Sequence, residues 1–240
     1  MILAWVVAAI VVFVASFVLG LAGFGIGLVA LAFLPFVMEP ADAIVLMTIY
    51  AVVFALGLFI PLRRDFRWAG MIELAGGTVV GTPLGVWLLT ALPASVLVRL
   101  IGFMLIAIVL LEWLGLYPER LPGRGWALGA GVAAGILGGA VGTPGPPVIL
   151  YISAQGWSPR TIKANLQAFI VVNQMVILAG YGVAGLVTRH VGWLALTLFL
   201  PAVGGVLVGA ACFSRIDAAS FRRLVFALLF ASGVVLLLRG

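Results

Sequence analysis

Ionisable and reactive side chains are scarce in this chain of 240 residues. Charged residues make up 8% of it, and it contains seven acidic residues, one histidine and one cysteine. A single cysteine excludes an intramolecular disulfide and a thiolate metal site. A membrane-embedded enzyme would need a metal cluster, a nucleophile–base pair or paired acids, and the apolar blocks hold none of these. We therefore expect no enzyme and no cofactor.

The chain is rich in apolar residues instead of charged ones. Hydrophobic residues make up 65% of the chain, whereas a soluble domain carries roughly 25% charged residues, so the lipid bilayer is the only plausible solvent. The 13 Lys and Arg residues lie mostly at the ends of apolar blocks, where they orient a membrane protein. We expect no nucleic-acid partner. Residues 1–5 lack a basic n-region and a cleavage site, so we interpret them as part of the first membrane segment.

The second half of the chain repeats the first. Gly81 and Gly85 return 124 residues later as Gly205 and Gly209, and the glycines of residues 20–23 return at 139–142. We divide the chain into a first repeat (1–118), a cytoplasmic linker (119–125) and a second repeat (126–240). Duplicated hydrophobic chains are typical of secondary transporters, in which the substrate binds between the repeats.

Charges and loop signals divide the sequence into eight apolar blocks. Helices are expected throughout, because a segment that faces lipid must satisfy its own backbone polar groups. Six blocks have an ordinary spanning length, and the first block of each half does not. The blocks cover residues 2–38, 42–62, 68–92, 96–116, 126–153, 161–186, 192–213 and 220–238.

The first block of each half contains a run that should interrupt a helix. Block 2–38 would be about 55 Å long as one helix, against a hydrocarbon core of about 30 Å, and residues 20–27 include four glycines. The corresponding run, 138–147, contains adjacent prolines, which cannot continue a regular helix. We predict that both blocks consist of a helix, an unwound run and a second short helix.

The basic residues discriminate between two topologies. If every block crosses once, the halves are parallel and the basic residues divide seven against six. If each broken block enters and returns, the halves are inverted and the division is ten against three, in agreement with the positive-inside rule. The predicted fold is therefore an all-α polytopic membrane protein with two homologous halves as inverted repeats. Each half has one broken or re-entrant helix pair plus three spanning helices, and both termini lie outside.

The two glycine- and proline-rich runs form the principal candidate site. A helix that restarts after a break has free N–H groups and partial positive charge, which suit an anion. In an inverted repeat, two such helix starts could converge near the midplane. The alternative is that the glycines only allow close helix packing. The candidate residues are Gly23, Gly25 and Gly27 in the first run and Gly142, Thr143, Pro144 and Gly145 in the second.

Polar residues in block 161–186 form a second candidate feature. Asn165 and Asn173 lie near one helical face, and Gln167 and Gln174 lie on a neighbouring face. Their amides would donate to substrate oxygens or cap the broken helix ends. Interhelical hydrogen bonding is the alternative. In the first half, Thr48 is the approximate counterpart of Gln167, so the two halves are expected to contribute different side chains to the site.

Three charged residues have functional and structural interpretations. Glu73 lies about one turn into its block and is a candidate for proton or cation coupling, or else an interfacial partner of an arginine. Arg160 and Lys163 precede the polar stripe, where they would gather anions at a cytoplasmic vestibule or simply anchor the topology.

The chain resembles the TauE/SafE sulfite exporter family. The resemblance rests on the glycine-rich run 20–27, the run 138–147, and Arg160–Thr161 with Asn173 downstream, and it extends over essentially the whole chain. It implies transport of sulfite, sulfoacetate or another small organosulfonate or organic acid, usually outward across the bacterial inner membrane. The positions carried over from the family are Gly23, Gly25, Gly142, Thr143, Pro144, Gly145 and Asn173.

The leading hypothesis is a secondary transporter that exports a small anion by alternating access. Protons or sodium are the candidate coupling ions, and a homodimer is the candidate assembly. A channel-like passive pathway for anions is one alternative. A membrane assembly subunit without transport activity is another.

Overall fold

The structure, a computed structural model, describes residues 2–23, 25–115, 121, 123–212 and 218–239. Eleven α-helices account for most of these residues, and the described part of the chain contains no strand, so the all-α prediction is confirmed. The helices are α1 (Ile2–Ala22), α2 (Ile26–Phe33), α3 (Pro40–Phe59), α4 (Met71–Ala91), α5 (Ala94–Trp113), α6 (Arg124–Val141), α7 (Gly145–Ser153), α8 (Pro159–Val183), α9 (Arg189–Thr197), α10 (Phe199–Cys212) and α11 (Ala218–Arg239). Short 3-10 turns, Leu34–Phe36 and Ile60–Asp65, follow α2 and α3.

Several of these helices are long and apolar enough to cross a membrane. Within the described residues there are six such helices: α1, α3 with its following turn, α4, α5, α6 and α8. The pair α9 and α10 would make a seventh span if the two are taken together.

The first predicted break is confirmed. Helix α1 ends at Ala22, and the Gly23 N–H donates to the Leu19 carbonyl at 2.7 Å. Gly23 and Gly25 have φ angles of 81° and 95°, which side chains other than glycine rarely adopt. Helix α2 then begins at Ile26, so the glycines allow the chain to leave one helix and start another within four residues.

The second predicted break is also confirmed. Helix α6 ends at Val141, and its cap Gly142 has a φ of 68° and donates to the Gly138 carbonyl at 2.9 Å. Helix α7 starts at Gly145 after the N-cap Pro144, with Pro146 in its first turn. Proline is favoured there because its fixed φ suits a helix start.

A third interruption was not predicted. Block 192–213 was expected to form one helix, but α9 and α10 meet at Leu198 with a bend of 44°. Pro201 lies three residues further on and lacks the N–H that would bond to the Thr197 carbonyl. The expectation of a single straight helix was wrong for this reason.

The helices form two compact units. Unit 1 consists of Met1–Met47, Leu92–Gly115 and Thr188–Gly240, and unit 2 consists of Thr48–Ala91 and Leu116–Val187. Each unit takes helices from both halves of the sequence. The predicted repeat boundaries describe the duplication of the sequence and stay a prediction.

In unit 1, α1 pairs with α10 and α5 pairs with α11. A Cβ at Gly205 would overlap the Phe13 carbonyl, and one at Gly209 would overlap the Phe17 carbonyl, so α1 and α10 run in the same direction. Helices α5 and α11 run in opposite directions, because Gly102 faces residues 233–237 whereas Trp113 contacts Phe230 with ring centroids 5.5 Å apart. Helix α2 packs against α1, α5 and α11.

In unit 2, α4 and α6 form the closest pair. Gly77, Gly81 and Gly85 lie against the backbone of Leu128, Val132 and Ile136, and a Cβ at each glycine would overlap a carbonyl oxygen. The numbers of the contacting residues increase together along both helices, so the helices run in the same direction. Small residues commonly allow such an approach in membranes. Helix α8 packs against α4, α6 and α7.

Helix α7 turns back toward the start of α6. The Gln155 side chain, just after α7, donates to the Leu121 carbonyl, which precedes α6, at 3.1 Å. The Tyr151 ring lies beside Gly70, which precedes α4. The α6–α7 segment is therefore a helical hairpin with both ends at one end of unit 2.

Candidate functional site

The start of α2, in unit 1, is rich in backbone donors. The first four N–H groups of a helix have no partner within it, and here they belong to Gly25, Ile26, Gly27 and Leu28. The first bond within the helix is the one that Val29 N–H donates to the Gly25 carbonyl at 3.1 Å. No side chain caps this end. A half-buried helix start with a full set of donors and positive dipole character suits an anion.

The start of α7, in unit 2, has a different chemistry. Its first four positions are Pro144, Gly145, Pro146 and Pro147. Proline has no N–H, so Gly145 supplies the one backbone donor at this helix end. The prolines that suit a helix start also remove its donors, so α7 offers an anion fewer backbone N–H groups than α2, and substrate binding at α7 stays a prediction.

Asn173 connects α8 to the α6–α7 break. Its side chain is fully buried, and its Nδ2 donates to the Thr78 hydroxyl on α4 at 3.0 Å. A Cβ added to Gly138 would lie 3.2 Å from Asn173 Oδ1. It would also lie 3.2 Å from Pro144 Cβ. Asn173 Oδ1 has no hydrogen-bond partner among the described residues. A buried acceptor without a donor is costly, so a ligand or a bound water at this oxygen would stabilise the protein.

Gln167 and Gln174 lie on the adjoining face of α8. Both are buried, and Gln174 Oε1 is a second amide oxygen without a hydrogen-bond partner in the described part of the chain. They are seven residues apart, and seven residues further on is Tyr181. A spacing of seven keeps side chains near one helical face.

Tyr181 is a residue that the sequence analysis missed. It is fully buried, and its hydroxyl donates to the carbonyls of Gly139 at 2.8 Å and Gly138 at 3.2 Å, in the last turn of α6. The buried Thr48 side chain also hydrogen-bonds with this hydroxyl. The signal in the sequence is the spacing of seven residues between Gln174 and Tyr181, which continues the spacing between Gln167 and Gln174.

Asn165 has a structural role. It accepts a hydrogen bond from the Arg67 N–H at 2.9 Å and donates to the Arg67 carbonyl at 2.7 Å. Both partners belong to the loop that precedes α4. Of the two asparagines on this face of α8, Asn165 therefore matches the packing alternative, and Asn173 lies at the break.

The charged candidates lie at the end of unit 2 where α4, α6 and α8 begin. Arg160 pairs with Asp65 at 3.3 Å, and Lys163 is exposed. Glu73 pairs with Arg124 at 3.1 Å, as its structural interpretation proposed, and coupling by Glu73 stays a prediction. Among the described residues, no group of three or more His, Cys, Asp or Glu side chains could hold a metal ion.

The predicted site residues are divided between the two units. Gly23, Gly25 and Gly27 belong to unit 1, at the start of α2. The others belong to unit 2, where Asn173 Oδ1 and Pro144 both lie near Gly138, and Gly142, Thr143 and Gly145 adjoin that proline in sequence. In the same unit, the Thr48 side chain hydrogen-bonds with the Tyr181 hydroxyl near the last turn of α6. Gln167 and Gln174 are buried residues of α8.

Long apolar helices, two predicted breaks and buried amides beside one of them define a multi-pass membrane protein with a polar interior. A family model described as "Sulfite exporter TauE/SafE" matches residues 8–236, so the chain belongs to the TauE/SafE family and the resemblance seen in its sequence is confirmed. Comparison with curated proteins and with solved structures gave no match. Membership of this family makes the chain a membrane transporter, with small anions as its class of substrate.

Proposed function

We propose that this chain is a secondary transporter that exports a small anion, such as sulfite, sulfoacetate or another organosulfonate or organic acid, across the inner membrane by alternating access. The observation that carries the proposal is the start of α2, where four successive backbone N–H groups precede the first intrahelical bond. The oxygens of sulfite or a sulfonate would accept hydrogen bonds from these groups.

The expected energies are adequate for reversible binding. A hydrogen bond to a charged acceptor contributes about 1.5–3 kcal/mol net, and a helix N-terminus adds about 0.3–1 kcal/mol for a nearby anion. Two or three such bonds would give affinities between millimolar and micromolar. A transporter needs binding in this range, because the substrate must also be released.

Two observations support the inverted arrangement of the halves. Helices α5 and α11 are the last helices of the two repeats, and they run in opposite directions within unit 1. In unit 2, the loop at Asp65–Arg67 contacts the start of α8 through Arg160 and Asn165. If every block crossed once, these two segments would lie on opposite membrane faces.

The test is uphill flux in proteoliposomes that contain the purified protein. The proposal predicts that an imposed proton or sodium gradient drives labelled sulfite or sulfoacetate against its own gradient. Flux that only ever follows the anion's gradient would mean a passive pathway. No flux of any small anion by correctly inserted protein would favour an assembly subunit.

A further inference from the structure

We propose a sodium site at the α6–α7 break, formed by neutral oxygen atoms around Asn173 Oδ1. This oxygen belongs to a fully buried side chain and lacks a donor among the described residues. The other end of the same amide is fixed, because Nδ2 donates to Thr78. The oxygen thereby lies near Gly138 in the last turn of α6, and Pro144, the N-cap of α7, lies near the same glycine.

The backbone at this break supplies acceptors and few donors. The carbonyl of Gly138 accepts from the Gly142 N–H, and the carbonyls that follow it have no partner within α6. Tyr181 donates to those of Gly138 and Gly139, and no donor to Ala140 or Val141 was found among the described residues. On the other side, the prolines of α7 leave Gly145 as the one N–H of the first turn. With Asn173 Oδ1 as a buried amide oxygen without a partner, acceptors outnumber donors here.

A surplus of oxygen acceptors at a helix C-terminus favours a cation. The partial negative charge of the end of α6 adds to the attraction, and unwound carbonyls and half-helix ends bind sodium in other transporter folds. Among the described residues of unit 2, the two acids, Glu73 and Asp65, are paired with arginines near the starts of α6 and α8, away from the break. Calcium and magnesium sites depend on carboxylates, so neutral oxygens point to a monovalent ion.

If the chain also transports an anion, as proposed above, sodium would be the ion whose gradient drives that transport. Sodium and substrate would then increase each other's affinity by the same factor. This coupling rests on the proposed function, whereas sodium binding by itself does not.

Thermal unfolding of the purified full-length protein tests the site without any substrate. The Tm is measured in NaCl, KCl and choline chloride at constant ionic strength. We expect a Tm that rises with sodium and saturates, because a ligand that binds only the folded state stabilises it. A Tm that is identical in the three salts would overturn the proposal and indicate that a buried water satisfies Asn173.

Two asparagines of α8 provide a matched pair of variants. Asn173→Leu should abolish the sodium-dependent rise. Asn165→Leu should lower the Tm, because Arg67 loses its partners, while it keeps the sodium-dependent rise. The reverse pattern would overturn the proposal.

If the Asn173→Leu variant does not fold, the Asn173→Asp variant tests the sodium site instead. A carboxylate at this position should increase sodium affinity at least tenfold, and an unchanged affinity would overturn the site. The outcomes separate the two proposals. Sodium binding without anion flux would support the sodium site and refute the proposed function. Anion flux without any sodium effect would support the proposed function and refute the sodium site.

Discussion

Replacing Gly27 with proline removes one donor from the start of α2 with little other change. Gly27 is the second residue of α2, and the corresponding residue of α7 is Pro146, so the fold already contains a helix start with proline at this position. Proline is tolerated in a first turn, since its missing N–H has no partner within the helix. The variant therefore removes a hydrogen-bond donor from the proposed anion site and should leave the helix intact.

The size of the effect follows from the donor that is lost. A hydrogen bond to a charged acceptor is worth about 1.5–3 kcal/mol, and about 1.4 kcal/mol corresponds to a factor of ten. If Gly27 N–H binds the anion, Gly27→Pro should weaken binding about 10- to 150-fold. Its Tm in the absence of substrate should stay close to that of the unmodified protein.

Binding of sulfite and sulfoacetate is measured by isothermal calorimetry, with transport measured in liposomes. Gly27→Ala is the matched control, because it keeps the N–H and Gly27 lies within the helix. We expect the alanine variant to retain binding that the proline variant loses. Equal affinity in both variants and the unmodified protein would refute a role for this N–H, and equal losses in both would indicate a steric effect.

Four further outcomes are expected. Gly77→Ala should destabilise the protein by more than about 1 kcal/mol, since a Cβ there overlaps the Leu128 carbonyl, whereas the adjacent Gly76→Ala, which has open space, should have no such effect; chemical unfolding measures both. Tyr181→Phe should cost about 1–3 kcal/mol in the same assay, because two carbonyls at the end of α6 lose a donor. Glu73→Gln should leave the gradient dependence of flux unchanged, since Glu73 pairs with Arg124 at the start of α6, and loss of coupling would instead identify it as the coupling acid. Cysteines introduced at Phe66 and Thr161 should react with an impermeant reagent from the same membrane face, and labelling from opposite faces would contradict the inverted topology.

The interruptions of α1 and α6 could be predicted from the sequence because their cause is local. Glycines that adopt positive φ and adjacent prolines interrupt a helix whatever surrounds them, and the length of the first block required a break. The bend at Leu198 was not predicted because residues 192–213 have an ordinary spanning length for one helix, although Pro201 lies near their middle.

The pairing of helices could not be predicted. Helix α4 packs on α6 and α1 packs on α10, so each close pair joins helices from different halves of the sequence. In a soluble protein, an apolar face would indicate which side of a helix is buried. Here the residues that face lipid and those that face protein are both apolar. Val80, for example, is exposed, whereas the next residue, Gly81, is buried. The sequence pattern therefore does not show which side of a helix packs against protein.

The chemistry of the candidate site was predicted in part. Asn173 was named as a candidate and lies at the break. One of its two amide N–H groups donates to Thr78, and donation by the other to substrate oxygens stays a prediction. The scarcity of donors in α7 could have been read from Pro144, Pro146 and Pro147. The prolines were expected to suit a helix start, where a missing donor costs little to the helix, and the same missing donors leave fewer N–H groups for an anion.

The most direct test of the central claim is to observe the amide of Gly27 while an anion binds. The dipeptide Ile–Gly occurs twice in the chain, at Ile26–Gly27 and Ile101–Gly102. Labelling with carbonyl-¹³C isoleucine and ¹⁵N glycine therefore selects two amides, and Gly102, within α5 and opposite Gly233, is the internal control. Titration with sulfite or sulfoacetate should shift the Gly27 amide proton downfield in a saturable way and leave Gly102 unchanged. If the anion binds and is transported while Gly27 does not shift, the start of α2 is not the anion site.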